Sequence, residues 1–403
     1  MKKKLYCMVC WIFISLLIFS GNLFNNISSI PSTIYVHEGQ EIESNNIIEA
    51  NIFYTKNHLN KINSNNDSIN INLLGFLPVK SVSVQSVPDI KLYPGGQPVG
   101  VKINTKGVLV VALCDIETKE GKVISPASSA SINVGDSIVK VNNKIIKTAE
   151  ELVYEVKCSE GRDIIVTVER EGKEYSKKVV PQLAEKDQSY KIGLWVRDYT
   201  SGVGTLTFYH KSSKTFGALG HPITDIDTGT ILTVDKGEIV NSSIISYKKG
   251  EKGSPGELRG LFVDEDKIIG KVEKNTSCGI YGKGTNKLLD NKYSKAMKIG
   301  LRNEIQVGPA QILTTIDGSE PELYDIKIEK LIDQQEPGSK SMVIKVTDER
   351  LLKETGGIVQ GMSGSPIIQN DKIIGAVTHV LINKPDVGYG IYIEWMLKDA
   401  GIL

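Results

Sequence analysis

The residues best placed by type to do chemistry lie near the end of the chain, in Gly361-Met362-Ser363-Gly364-Ser365-Pro366-Ile367-Ile368, followed by Asp371 to Ile374 and Gly375-Ala376-Val377. A serine flanked by glycines just ahead of an apolar strand lets the backbone turn so that its hydroxyl is exposed. Nearby N–H groups can then point to one spot. Acyl transfer needs both, because negative charge develops on the carbonyl oxygen as a serine attacks. A plain Gly/Ser turn shares the pattern, so a base is required. Of five histidines, His37 and His58 lie in the amino-terminal region, and His210 ends a strand before the polar turn Lys211 to Lys214. His379 lies on the strand after Ser363, as core or substrate-facing residue. His221 follows Thr215-Phe216-Gly217-Ala218-Leu219-Gly220, a strand-like run ending in a small-residue turn, which puts an imidazole at a strand end. Asp348, Asp225 and Asp227 are the candidate orienting carboxylates. Asp348 also reads as the cap of a short helix that stops at Gly356-Gly357, and spacing does not separate the three.

The serine run resembles the G-x-S-G-x-P motif of chymotrypsin-like serine peptidases. That resemblance makes Ser363 the nucleophile and the N–H groups of Gly361 and Ser363 the oxyanion hole. His221 precedes the serine in the chain, as the base does in such peptidases.

The elements that must position these residues follow from composition and pattern. The chain has 403 residues, which implies at least two domains. With 48 Lys+Arg against 47 Asp+Glu the net charge is +1, which excludes an electrostatic grip on nucleic acid. Sparse aromatics, 6%, with 38 glycines indicate a turn-rich, mainly β chain. Lys2 to Lys4 precede the apolar run Leu5 to Phe19, so residues 1–24 read as a signal peptide or membrane anchor that directs the remainder across the membrane. Residues 25–87, rich in Asn, Ser and Ile from Glu41 to Asn70, read as a partly disordered linker. Beyond residue 184, Gly193 to Val196, Thr205 to Tyr209, Thr230 to Val234, Ile239 to Ser246, Leu258 to Val263, Met342 to Val346 and Pro366 to Val380 read as strands, the signature of an all-β barrel or sandwich. Three scattered cysteines, Cys114, Cys158 and Cys278, make no disulfide framework or zinc site in the exported part.

Between residues 88 and 183, Val101 to Ile103, Val108 to Leu113, Ile138 to Val141 and Ile164 to Val168 read as strands. Ala149 to Cys158 has helical spacing with Leu152, Val153 and Val156 on one face. The stretch from Ser131 to Asn142, with Gly135-Asp136 before Ile138, resembles the PDZ family, in which an extended peptide adds to a sheet edge. By that resemblance Gly107, Val108 and Leu109 bind peptide.

Thr205-Leu206-Thr207-Phe208-Tyr209, Phe216-Gly217-Ala218-Leu219-Gly220-His221, the run from Gly356 to Pro366, and Gly390-Ile391-Tyr392-Ile393-Glu394-Trp395-Met396-Leu397 together resemble the stage IV sporulation protein B serine peptidase family of endospore-forming bacteria. The resemblance implies a chymotrypsin-like double β-barrel peptidase domain over residues 184–403 and an active set of His221, Asp348 and Ser363. It also implies an exported, membrane-associated, self-cleaving enzyme in the space between the forespore and mother-cell membranes. There it cuts the regulatory partner of a membrane metalloprotease that activates a sigma factor, and the Asn-rich stretch before Pro88 is the expected self-cleavage region. No cofactor or metal is expected. GxxxxGK[ST] and HExxH are absent, and Asp227-Thr228-Gly229 lacks the second carboxylate an aspartic peptidase needs. The other reading is a non-catalytic, membrane-tethered PDZ peptide-binding protein.

Overall fold

The computed structural model describes residues 33–38, 67–73, 77–334 and 336–403. Among them no helix is long and apolar enough to cross a membrane; the apolar run at 1–24 lies outside the described residues. Within the stretch expected as a linker, β1 (Thr33–His37), β2 (Asp67–Leu73) and β3 (Leu77–Val87) form a three-stranded sheet with β3 in the middle. Its cause is the alternation Val82-x-Val84, which sends both valines inward and the intervening polar residues outward. Val87, buried, joins the main core, so the stretch is in part folded rather than a tether.

Long antiparallel strands then build two closed barrels. β4 (Lys91–Pro94) leads into β5 (Pro98–Leu113). Farther along, β6 (Ser137–Val141), β7 (Ile164–Arg170) and β8 (Lys173–Val179) precede β9 (Leu194–His210), β10 (Thr215–Ala218), β11 (Val234–Lys248), β12 (Glu257–Thr276) and β13 (Gly279–Gly284). The pairings β5–β11–β12–β13–β10–β9–β5 close a six-stranded ring. Val99, Val101, Ile103, Leu206, Phe216 and Ile239 fill it. The second ring runs β14 (Gly308–Thr314), β15 (Glu322–Leu331), β16 (Met342–Val346), β19 (Lys384–Tyr392), β18 (Lys372–Leu381), β17 (Pro366–Gln369) and back to β14. Ile312, Ile326, Ile344, Ile367 and Val377 pack inside it. Closure gives each strand of a ring a partner on both sides over the ring itself, which suits a β-rich chain of this size. The all-β expectation for the carboxy-terminal half takes the form of this double barrel.

The first halves of β5 and the last half of β9 line the first barrel, and their other halves run on into a separate unit. There Val108 and Val110 of β5 join Ile138, Val141, Ile164, Val166 and Val168 in a distinct core capped by the helix α2 (Ala149–Cys158), α1 being the short turn Pro126–Ser129. The boundary expected at residue 88 therefore moves. Leu92 packs in the second barrel, and Val99 to Ile103 in the first, because the continuous β5 serves two cores in succession. On α2, Leu152 and Val156 are buried while Val153 is 63% exposed, so the apolar face is the narrower i, i+4 stripe. Gly135 has φ +93°, and the Asp136 carboxylate accepts from the Asn133 N–H at 2.8 Å, the turn expected before β6.

Candidate active site

His221 stands where β10 leaves the first barrel. Two successive residues take left-handed backbone, Leu219 (φ +71°) and Gly220 (φ +69°), a conformation that costs a leucine about 1–2 kcal/mol. The kink is held from both sides: the Leu219 N–H donates to the Thr205 carbonyl at 3.3 Å and the Gly220 N–H to Ala218 at 2.9 Å. Strain of this kind persists where surrounding contacts over-determine it. The loop beyond is pinned by Asn275, which receives the Ile223 N–H at 2.8 Å and donates to the Ile223 and Leu232 carbonyls at 2.8 and 2.9 Å.

The imidazole is set for use as a base. His221 Nδ1 lies 2.8 Å from the Pro222 carbonyl oxygen. A carbonyl can only accept, so Nδ1 carries the proton and Nε2 keeps its lone pair. Burial lowers the His221 pKa from its ordinary 6.5, the bond to Pro222 opposing, so the ring is neutral at neutral pH.

Ser363 comes from the second barrel, in the turn before β17. Its Oγ donates to the Thr378 carbonyl at 2.8 Å, leaving the hydroxyl one torsion away from another acceptor. The carbonyls around it are all tied back: Gln360 O accepts from Leu258 N at 2.8 Å, Gly361 O from Thr205 Oγ1 at 2.7 Å, Met362 O from Ser365 N at 3.0 Å, and Ser363 O from Thr205 N at 3.2 Å. Met362 N and Gly364 N donate to Val359 and Val377. The N–H groups of Gly361 and Ser363 have no partner among the described residues. Two neighbouring unpaired donors beside a serine hydroxyl are what a developing oxyanion requires. Gly361 (φ +98°) allows the turn.

His221 and Ser363 line one cleft of about 640 Å³ between the barrels. His379 lines it too. Its ring centroid lies 5.4 Å from that of His221 at a 46° tilt, and its Nδ1 is buried without a partner. Burial first, then the nearby His221 and Lys340, push the His379 pKa down to about 4. Of the two readings left open for this residue, the structure takes the cleft-facing one. His210 instead closes its own turn through Ser212 and Ser213. His37 lies beside Glu304 at 3.3 Å, and His58 is outside the described residues.

None of the three candidate aspartates hydrogen-bonds to His221; each carboxylate has other partners. Asp348 caps α3 (Glu349–Thr355): its oxygens receive the Arg350 N–H at 2.9 Å, the Arg350 guanidinium at 2.8 and 3.1 Å, and the Asp325 N–H at 3.3 Å. The Arg350 guanidinium holds its carboxyl below the usual range against the cost of burial. The helix-cap reading of Asp348 accounts for the bond from the Arg350 N–H; the guanidinium and the Asp325 N–H occupy the rest of the carboxylate. Asp225 accepts the N–H groups of Asp227 and Thr228 and pairs with Arg197, which also holds Asp227. No carboxylate bonds to His221 among the described residues; the Pro222 carbonyl takes that place.

The expected peptide edge is also displaced. Gly107, Val108 and Leu109 are buried. Leu109 pairs with Ser137 of β6 on one side and Arg197 of β9 on the other, and Val108 pairs with Ile138 of β6, so Leu109 has no free edge for an added strand.

The sequence profile of the SpoIVB peptidase S55 family matches residues 188–397, just over half of the chain and the span from just before β9 into α4 (Ile393–Asp399). The chain belongs to that family. It is a serine peptidase. Among solved structures, the Rv3671c protease from M. tuberculosis in its active form aligns with 50% of this chain and 75% of its own, at 14% identity and a TM-score of 0.31. The PDZ domain of an SdrC-like protein from Listeria monocytogenes aligns with 24% of this chain and 93% of its own, at 16% identity and a TM-score of 0.19. A curated protein of Clostridium acetobutylicum named as a putative zinc metalloprotease is 33% identical over 70 residues, and the chain spans about a fifth, 21%, of its length.

Thr205 and Leu258 of this peptidase escaped the sequence reading as site residues. Each acts by its backbone or hydroxyl on the serine turn from more than 100 positions away, and an interior strand threonine carries no local signal of that.

Proposed function

We propose that this peptidase is a sporulation signalling endopeptidase, exported and self-cleaving, that cuts the regulatory partner of a membrane-embedded metalloprotease and so starts sigma-factor processing. The observation that carries it is the meeting of a neutral His221, the Ser363 hydroxyl and the two unpaired N–H groups in one cleft. Family membership supports the sporulation role, and the basic-then-apolar amino terminus supports export and tethering.

In this reading Ser363 Oγ turns from Thr378 O and gives its proton to His221 Nε2 as it attacks the scissile carbonyl. The oxyanion takes the N–H groups of Gly361 and Ser363. His221 passes the proton to the leaving amine, then activates the water that releases the acyl group. The Pro222 carbonyl keeps the imidazole in the right tautomer throughout.

A PDZ-like role for the unit around α2 rests on its separate core and on a strand edge at Leu194 to Arg197. That edge pairs only with β5 among the described residues and carries Trp195, 65% exposed. It replaces residues 107–109 as the place for an added peptide strand. Ser363→Ala is the test: cleavage of itself and of a candidate regulatory subunit at the normal rate would reject the nucleophile. Amino-terminal sequencing of the matured protein would reject self-cleavage before Pro88 if processing falls only at the signal segment or beyond residue 88.

A further inference from the structure

We propose that the cleft between the barrels selects an apolar side chain on the residue whose carbonyl is attacked, and rejects basic and acidic ones. The inference deepens the peptidase reading and rests on Ser363 as the nucleophile.

No lysine, arginine, aspartate or glutamate lines the cleft among the described residues. A peptidase that cuts after lysine or arginine needs a carboxylate in the pocket beside its serine, and one that cuts after acidic residues needs a cation there. The walls are uncharged and largely apolar: Val101 and Val203 from the first barrel, Ile358 and Val359 just before the serine turn, Val380 near the end of β18 and Ile382 just past it, with Gln360 and Thr378 among the polar lining.

Geometry says which wall matters. With the substrate oxygen on the N–H groups of Gly361 and Ser363, the acyl residue's Cα lies one bond from the attacked carbon. Its side chain must fall against the segments on either side of Ser363. These are Ile358 to Gln360 and Thr378 to Val380, and neither offers a charge. The titratable groups in the lining are His221 and His379. Burial keeps both below their ordinary pKa, so the cleft is neutral at neutral pH. Lys340 lies outside it, over the Tyr389 ring at 5.3 Å. A charged side chain entering would lose its hydration without a partner, while a valine or leucine would gain from burial.

The test uses the full chain and peptidyl diphenyl phosphonates that differ only in the residue bearing phosphorus: valine, leucine, lysine or glutamate analogues. Ser363 Oγ forms the new O–P bond and a phenoxide leaves, taking the serine proton as phenol. Valine or leucine probes should inactivate on the order of a hundredfold faster than lysine or glutamate probes. Equal rates, or a faster lysine or glutamate probe, would overturn the selectivity. Ile382→Asp places a carboxylate on the rim at a position 53% exposed, where folding tolerates it; it should raise the lysine-probe rate at least about tenfold, and an unchanged rate counts against this cleft as the pocket. Labelling that persists in Ser363→Ala would instead sink the nucleophile itself. Labelling of the wild type by no probe, with the fold intact by thermal melt, would do the same.

Discussion

Gly364→Ala tests how the two barrels make one site. Gly364 has φ +98°, and a Cβ there would lie 2.5 Å from the Leu219 N and closer still to the Thr205 carbonyl oxygen, well inside van der Waals contact. Both obstacles are backbone of the first barrel, so no side chain can swing aside. Backbone strain at such a φ costs about 1–3 kcal/mol. Relief means moving the serine turn off Thr205, with loss of the 3.2 Å bond from Thr205 N to Ser363 O, worth roughly 0.5–1.5 kcal/mol net. The sum is about 2–4 kcal/mol, or roughly 5–15 °C in Tm for a domain of this size. Activity should fall further, about a hundredfold, because His221 lies two residues beyond Leu219 and a displacement near 1 Å at a reacting centre has that effect. The control is Gly318→Ala, with φ +65° and nothing within 4 Å of the place its methyl would take, which bears the strain without the collision. Urea unfolding and phosphonate labelling of both variants decide it. Equal loss of stability in the two, with labelling retained in Gly364→Ala, would show that close barrel contact at this point does not assemble the site.

Asp348→Asn preserves the helix cap, so the geometry predicts less than about a tenfold fall in kcat; a fall near 10⁴ at unchanged Tm would assign Asp348 the orienting role instead. The acidic limb of kcat/KM should lie below pH 6.5, since burial lowers the His221 pKa and only its neutral form accepts the serine proton; a pH-rate profile checks it. For stability the sign is the same: His379 is neutral when folded down to about 4 but takes a proton near 6.5 when unfolded, so stability present above pH 6.5 is lost as pH falls towards 4. His379→Gln should flatten that loss in urea titrations run at several pH values. Arg302 bonds the Glu394 carboxylate through Nε at 2.7 Å and stacks on Trp395 at 4.4 Å; Arg302→Ala strands a carboxylate that is 2% exposed and should cost about 3–5 kcal/mol by chemical denaturation, whereas Arg302→Met with Glu394→Leu should recover most of it.

Much of this protein was legible locally. The Gly-Met-Ser-Gly run announces a turn with an exposed hydroxyl because glycine readily accepts the φ of +98° found on both sides of the serine. The small-residue turn before His221 marks a strand end for the same reason, and the helix at Ala149 to Cys158 follows from its spacing and its Thr148 cap. These signals live within a few residues, where backbone sterics act. What the tertiary structure decided acts across the chain. It brought no carboxylate to His221 among the described residues, leaving the imidazole to the carbonyl of its own neighbour Pro222, since whether a distant side chain meets a ring depends on how two barrels dock. It buried Leu109 between two strands, because pairing on both sides of β5 comes from partners at Ser137 and Arg197, far along the chain. And it emptied the cleft of charge, a property of walls drawn from both barrels that no one segment could declare.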